Sequence, residues 1–292
     1  MHDTAQIHLR VIATKAVRLH VAFAGPEDGP PIVLLHGFPE FWYGWRHQIP
    51  TLASEGYRVI VPDQRGYNLS EKPARVRDYA TDTLADDVVG LLDALGIERA
   101  LVVGHDWGGG VSWALGHRSP ERLRGLAILN CPHTSVFQRT LLRSPRQLAK
   151  SWYMFALQIP WGPEALLGAQ GAKRMGGALK GGARRGTFSP DELATYREAW
   201  SQPGALRGMI NWYRAGMRYP SATPTHQRIP VPTLVLWGED DAFLGAEMAE
   251  ASLAYCEDGR LERIPGAGHF VQHEAPEIVG AHLLAFAARL YG

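Results

Sequence analysis

The most informative stretch of this chain is Gly104-His105-Asp106-Trp107-Gly108-Gly109, which follows the apolar run Ala100-Leu101-Val102-Val103 and precedes a helix-like segment. It has the G-x-S-x-G pattern of a sharp strand-to-helix turn, with aspartate in the place of serine. Such a turn needs glycines because no room remains for side chains beside the nucleophile. A carboxylate there can displace a leaving group from a saturated carbon, which leaves an ester on the protein. The stretch therefore predicts a nucleophilic aspartate, Asp106.

Apolar segments on both sides of this turn alternate with helix-like ones. The patterns predict strands at 17–23, 31–36, 57–63, 100–103, 123–129, 233–237 and 261–264, and helices at 42–53 and 82–95. Strands that alternate with helices form a mainly parallel sheet with helices on both faces. We therefore expect an α/β fold in which the loops after the strands converge at the carboxyl edge, where such sheets bind ligands.

The alternation stops between about residues 131 and 230, where aromatic residues and helix formers dominate. This segment predicts a helical cap at 132–230, inserted into a core domain made of residues 1–131 and 231–292. Within the cap, residues 171–186 are rich in glycine and alanine and carry five Lys or Arg residues. Basic runs of this kind are typical of solvated, mobile loops, so we expect a loop there.

Two later segments supply partners for Asp106. Gly238-Glu239-Asp240-Asp241 follows one expected strand, and Gly266-Ala267-Gly268-His269-Phe270 follows the last one. Nucleophile, acid and base in this chain order are expected of an α/β-hydrolase. We expect His269 to act as the base and Asp241 to orient it, while Asp240 and then Glu239 stay as alternatives because only position and spacing separate them.

A glycine-containing loop, His36-Gly37-Phe38-Pro39, follows the strand expected at 31–36. Its backbone can present an amide to the nucleophile and form an oxyanion hole with the amide after Asp106. The expected donors are the amides of Phe38 and Trp107. A plain turn is the alternative interpretation of this loop.

Composition narrows the possible partners and the location. The chain has 292 residues, with 30 Lys and Arg against 29 Asp and Glu, so its net charge of +1 predicts neither a nucleic-acid nor a membrane partner. We expect no signal peptide, because the first residues lack a basic segment followed by an apolar one. Only two cysteines occur, Cys131 and Cys256, far apart in the chain, which favours a reducing cytoplasm over a disulfide framework.

Five motifs together resemble the epoxide hydrolases of the α/β-hydrolase fold, from about residue 36 to 276. They are His36-Gly37-Phe38-Pro39-Glu40, Arg65-Gly66-Tyr67-Asn68-Leu69-Ser70, the stretch 104–109, Gly238-Glu239-Asp240-Asp241 and Gly268-His269-Phe270. The resemblance supports Asp241 over Asp240, because the family's acid loop reads G-x-x-D. It also implies a small epoxide and water as reactants, in a monomer or homodimer. No metal or organic cofactor is expected, and the chain contains no H-E-x-x-H, P-loop or dinucleotide motif.

Two cap segments resemble the motifs that carry the family's paired tyrosines. Trp152-Tyr153 precedes Gln158-Ile159-Pro160, and Asn211-Trp212-Tyr213-Arg214 matches the second motif. By this resemblance Tyr153 and Tyr213 bind the epoxide oxygen and donate a proton as the ring opens. An alkoxide needs such an acid because it is a poor leaving group.

Four aromatic residues are expected to line an apolar substrate pocket, with ordinary core packing as an equal alternative for each. They are Phe38, Trp107, Trp152 and Trp212. A haloalkane dehalogenase is the alternative function, because it shares the aspartate nucleophile and would bind halide through Trp107. Phe38 argues against it, since dehalogenases usually have an asparagine at that position, and paired cap tyrosines have no purpose in halide release.

Overall fold

The computed structural model describes residues 6–292. The expected absence of a signal peptide rests on the first residues of the chain, most of which lie outside the described range. Within that range, eight strands form one sheet in the order β1-β2-β4-β3-β5-β6-β7-β8. The strands are β1 (His8–Ala13), β2 (Arg18–Ala24), β3 (Pro31–Leu35), β4 (Arg58–Pro62), β5 (Ala100–His105), β6 (Leu123–Leu129), β7 (Thr233–Gly238) and β8 (Gly259–Ile264). Neighbours from β4 through β8 pair in parallel, whereas β2 is antiparallel to both β1 and β4.

Helices cover both faces of this sheet. They are α1 (Gln48–Ser54), α2 (Thr81–Ala94), α3 (Trp107–Arg118), α4 (Thr134–Arg143), α5 (Pro145–Lys150), α6 (Trp152–Ala156), α7 (Gly162–Gly182), α8 (Pro190–Trp200), α9 (Ala205–Arg218), α10 (Glu247–Ser252), α11 (Val271–Glu274) and α12 (Pro276–Tyr291). Short 3-10 helices occupy Trp42–Trp45, Val76–Tyr79, Pro120–Arg122 and Leu253–Tyr255. In the described range, none of these helices is both long and apolar enough to cross a membrane.

The central strands contribute alternate side chains to two apolar layers, as the two-residue period of a strand requires. Val33 and Val102 pack on the side of α2 and α3, whereas Leu34 and Val103 pack on the side of α1 and α12. Burial on both faces explains why these strands are continuous apolar runs in the sequence. The fold is thus the expected α/β-hydrolase fold, with helices α4–α9 inserted between β6 and β7.

The expectation of a loop at 171–186 is wrong for most of that segment. Helix α7 extends to Gly182 and is interrupted by non-helical backbone only at residues 169–172. Met175 and Leu179 are buried on its inner side, whereas Lys173, Arg174 and Lys180 are exposed. The buried apolar residues stabilise a helix that its glycine content alone would disfavour.

Candidate active site

Asp106 lies between β5 and α3 with φ 50° and ψ −119°, outside the backbone regions that side chains normally adopt. The glycines around it permit a tight turn. A Cβ at Gly104 would lie 2.3 Å from the Gly108 carbonyl oxygen, and a Cβ at Gly108 would lie 2.3 Å from the Leu35 carbonyl oxygen. The turn therefore holds the Asp106 carboxylate at the carboxyl edge of the sheet.

The loop after β3 lies directly against this carboxylate. The Phe38 amide donates a hydrogen bond of 2.8 Å to Asp106 Oδ1. Gly37 permits the approach, because a Cβ there would lie 2.4 Å from the Asp106 Cβ. Trp107 is the first residue of α3, so its amide has no partner within the helix. Both expected oxyanion donors thus adjoin the nucleophile position.

His269 lies between two carboxylates. Its Nδ1 is 2.8 Å from Asp241 Oδ2, and its Nε2 is 3.6 Å from Asp106 Oδ2. The other oxygen of Asp241 accepts hydrogen bonds from the amides of Phe243 at 2.7 Å and Leu244 at 2.9 Å. The loops after β5, β7 and β8 therefore bring the three expected residues together, with the imidazole between the two carboxylates.

The two alternative acids lie elsewhere. Asp240 and Glu239 are exposed, whereas Asp241 is buried beside the imidazole. The geometry therefore favours Asp241 as the residue that orients His269.

Electrostatics in the triad follow from burial and paired charges. Burial lowers the pKa of His269, but the carboxylates of Asp241 and Asp106 outweigh it and raise that pKa to about 10. Burial raises the pKa of Asp241, yet its contacts with His269 and Asn130 outweigh it and leave that pKa below its usual value. While both carboxylates are ionised, His269 is an imidazolium at neutral pH.

Asn130 is a site residue that the sequence analysis missed. Its amide nitrogen donates to Asp241 Oδ2 at 2.8 Å and to the Gly238 carbonyl at 3.2 Å, and its oxygen accepts from the Gly238 amide at 2.9 Å. The signal was a polar residue directly after β6, at the edge where the other site loops begin. Asn130 fixes the acid loop against its neighbouring strand.

Tyr153 in α6 and Tyr213 in α9 lie together beside Asp106. Their ring centroids are 5.9 Å apart, and both line a cavity of about 760 Å³ together with Asp106 and His269. Burial, followed by the charge of Asp106, raises the pKa of Tyr153. Burial, Tyr153 and Asp106 raise the pKa of Tyr213 well above its usual value. Both phenols are therefore protonated at neutral pH and able to donate.

Comparisons with known proteins agree with this geometry. Residues 30–276 match the family described as alpha/beta hydrolase fold. The AB hydrolase superfamily protein YfhM of Bacillus subtilis (strain 168) is 44% identical over 96% of this chain and 98% of its own length. Epoxide hydrolase A of Mycobacterium tuberculosis (strain ATCC 25618 / H37Rv) is 34% identical over 96% of this chain and 97% of its own length. The chain belongs to the epoxide hydrolase family.

A solved structure supports the same conclusion. The crystal structure of Bacillus megaterium epoxide hydrolase in complex with an inhibitor superposes with a TM-score of 0.87 at 29% identity. The match covers 95% of this chain and 99% of that one. This epoxide hydrolase family member therefore shares its overall fold with that enzyme over nearly the whole length of both chains.

Residues beside the paired tyrosines hold them in place. Gln158 donates hydrogen bonds of 3.1 Å to the carbonyls of Met154 and Tyr213, so it connects the first tyrosine's helix with the second. Arg214 donates to the Leu157 carbonyl at 3.1 Å and forms an ion pair with Glu164. Both residues belong to motifs quoted from the sequence, but their supporting roles emerge only from the contacts.

The four aromatic residues expected to line the pocket divide into two groups. Phe38 and Trp152 line the cavity. Trp107 packs behind it, with its ring 5.1 Å from that of Tyr213 and 5.8 Å from that of Trp212. For Trp212 the core-packing alternative holds, because the residue is fully buried and donates its indole N–H to the Arg65 carbonyl at 2.9 Å. That bond requires the ring to face the core loop after β4.

A buried polar network lies beneath the triad. Glu40 accepts hydrogen bonds from Tyr196 at 2.8 Å and Gln272 at 2.8 Å, and its carboxylate lies 2.6 Å from His273. His105 contacts the same carboxylate at 3.2 Å and donates to the His269 carbonyl at 2.8 Å. Burial raises the pKa of Glu40, but these histidines outweigh it and hold that pKa well below its usual value. The network anchors the loop that carries the base.

Proposed function

We propose that this member of the epoxide hydrolase family converts epoxides to vicinal diols in two steps. The observation that carries the proposal is that the Asp106 carboxylate and two protonated phenols, Tyr153 and Tyr213, line one cavity. A carboxylate nucleophile and a pair of acids are what the opening of a strained ether requires.

In the first step, an Asp106 oxygen attacks one epoxide carbon and the bond from that carbon to the epoxide oxygen breaks. The electron pair of that bond moves to the oxygen, which both phenols stabilise by hydrogen bonds and one of them protonates. The phenolate left behind regains a proton when the His269 imidazolium becomes neutral. The product is a hydroxyalkyl ester on Asp106. Because the phenols are protonated at neutral pH, they supply this acid without a metal ion.

In the second step, His269 removes a proton from water, and the resulting hydroxide attacks the carbonyl carbon of the ester. The Phe38 and Trp107 amides stabilise the oxyanion that forms. Collapse of this intermediate releases the diol and restores the Asp106 carboxylate. Ester formation itself prepares the base, because it removes the Asp106 charge that helps to raise the pKa of His269.

The geometry gives the dehalogenase alternative less support. A departing halide needs N–H donors inside the cavity. Trp107 is not among the residues that line the cavity and its indole is engaged with Tyr213, while the phenyl ring of Phe38 offers no donor. The lining of the cavity includes instead the phenols of Tyr153 and Tyr213, whose hydroxyls suit an epoxide oxygen.

The test is diol formation from styrene oxide, with bromide release from a bromoalkane measured in parallel. We expect diol and no bromide. Bromide without diol would overturn the proposal and favour the dehalogenase. For the covalent step, His269→Gln should accumulate a species heavier by the mass of one epoxide, and the double variant with Asp106→Asn should not. Turnover by His269→Gln without such a species would contradict the ester.

A further inference from the structure

Exposed large apolar side chains concentrate in one part of the inserted helices, between residues 142 and 166. They are Leu142, Leu148, Trp152, Phe155, Ile159, Trp161 and Leu166, which we call the mouth patch. Leu142 is 87% exposed and Trp161 is 83% exposed. A concentration of exposed apolar side chains in one segment is unusual for a folded protein and points to an interaction site.

Three residues of the mouth patch line the active-site cavity, and the other four lie in the same segment of the chain. Trp152, Ile159 and Leu166 line that cavity, and more than half of each side chain is exposed. Trp161 adds a further observation, because it holds a left-handed backbone with φ 56° that bulky residues rarely adopt. Its indole is exposed, so packing within the chain does not offset that strain.

Basic side chains accompany the mouth patch. Between residues 139 and 185 the chain carries nine Lys and Arg residues and one carboxylate, Glu164, which is paired with Arg214. Several of these bases are exposed and form no ion pair with any carboxylate in residues 6–292: Arg143, Arg146, Lys173, Arg174, Lys180 and Arg185. The net charge of +1 is therefore unevenly distributed: Lys and Arg exceed Asp and Glu in the cap, and Asp and Glu exceed Lys and Arg in the rest of the chain.

We propose that the mouth patch docks on an anionic lipid bilayer and so places the cavity opening against the membrane surface. Aromatic and aliphatic side chains enter the boundary between headgroups and acyl chains, while Lys and Arg contact the anionic headgroups. A membrane senses the charge within about 10 Å of it, not the net charge of the protein. The net charge of +1, on which the expectation of no membrane partner rests, does not exclude such docking.

The charges also argue against a second copy of this chain as the occupant. A symmetric dimer through the mouth patch would bring the same unpaired bases together from both subunits. Like charges across an interface disfavour association. Docking on lipid does not depend on which reaction the cavity catalyses.

The test is binding of the intact chain to vesicles of phosphatidylcholine with or without phosphatidylglycerol, measured by flotation. We expect binding to the anionic vesicles, weakened by salt, and at least ~10-fold weaker binding to the neutral ones. Arg143→Glu with Arg146→Glu should weaken binding by ~20-fold or more, at about fivefold for each basic residue removed. Leu142→Ser with Leu148→Ser should weaken it as well, through loss of apolar insertion.

Matched controls exclude a general effect of charge or of misfolding. Lys15→Glu with Arg260→Glu makes the same charge change at exposed positions outside the mouth patch, and its binding should match the unmodified chain. None of the altered residues lines the cavity, so turnover of a water-soluble epoxide should be unchanged in all three variants. Three results would overturn the proposal. They are equal binding to both vesicle types, equal loss of binding in the patch and control variants, and a dimer of this chain that the patch variants dissociate.

Discussion

The pKa of His269 depends on the charge of Asp106, the residue that carries the ester in the proposed mechanism. Asp106 lies 3.6 Å from Nε2 and raises the pKa of His269 together with Asp241. Asp106→Asn resembles the neutral ester in charge, so we expect it to bring that pKa below about 10. Titration of the histidine by NMR measures this directly, and Asp240→Asn, an exposed acid beside the site, is the control. An unchanged pKa in Asp106→Asn would contradict the charge coupling.

The two phenols over Asp106 give a second prediction for single residues. Tyr153→Phe and Tyr213→Phe should each lower kcat for diol formation about 10- to 100-fold, and the double variant should lose more, because general acids contribute about 10²- to 10⁴-fold. Steady-state kinetics measures this effect.

Tyr67→Phe is the matched control for the tyrosine variants. Tyr67 is fully buried near the site, but its hydroxyl has no hydrogen-bond partner within residues 6–292. Loss of that hydroxyl should therefore leave kcat unchanged. Full activity of the double variant, Tyr153→Phe with Tyr213→Phe, would show that the two tyrosines take no part in ring opening.

At the scale of elements, α9 is held against the core by a close contact between two glycines. A Cβ at Gly208 would lie 2.4 Å from the Gly66 carbonyl oxygen. Gly208→Ala should therefore displace α9 with Tyr213, lower the free energy of unfolding by about 1–3 kcal/mol, and lower kcat. Denaturant unfolding and kinetics measure the two effects.

Gly177→Ala is the matched control for Gly208→Ala. Gly177 lies in α7, and a Cβ there would meet nothing within 4 Å. The change should preserve activity and raise the free energy of unfolding by up to about 1 kcal/mol, as replacement of glycine in a helix does. If Gly208→Ala behaved like Gly177→Ala, the contact between α9 and the core would not position Tyr213.

The elements differ in how well their sequences predict them, and burial explains the difference. Strands β3 to β7 are largely buried, so they are apolar runs that the sequence analysis placed to within a few residues. Strand β1 was missed because its residues are mostly exposed and leave no apolar pattern. The second half of α7 was expected to be a loop because its glycines disfavour a helix, but the burial of Met175 and Leu179 stabilises one there.

The site could be predicted in part for a related reason. Asp106, Asp241 and His269 follow strands, so chain order alone indicated that they would meet. The partners of these residues depend on side-chain directions across the sheet and the inserted helices. Asn130 and Gln158 therefore emerge only from their contacts, and only the contacts decide between cavity and core for Trp212.

At the scale of the whole molecule, buried histidines predict how stability depends on pH. Burial lowers the pKa of His133 to about 3, so its stabilisation is full above the usual histidine pKa and is lost as the pH falls towards 3. The pKa of His269 is raised to about 10, so its stabilisation is full below the usual value and is lost as the pH rises through 10. The free energy of unfolding should therefore have a maximum near neutral pH.

His269→Gln isolates the alkaline side of this profile. From about pH 7 to about pH 9 we expect the unmodified chain to lose more unfolding free energy than the variant, because only the unmodified chain has the raised imidazole pKa. Denaturant titrations at the two pH values supply the comparison. Parallel losses in both proteins would show that His269 does not govern the alkaline limb.

The two tyrosines and the triad lie on separate parts of the chain. Tyr153 and Tyr213 both belong to the stretch between β6 and β7, whereas Asp106, Asp241 and His269 all lie outside it. In the proposed reaction, the residues between β6 and β7 protonate the leaving oxygen, and the residues outside that stretch form and hydrolyse the ester. A single genetic recombination that replaced the stretch between β6 and β7 would change the ring-opening step and preserve ester hydrolysis. The same hydrolytic residues could then serve a different leaving group.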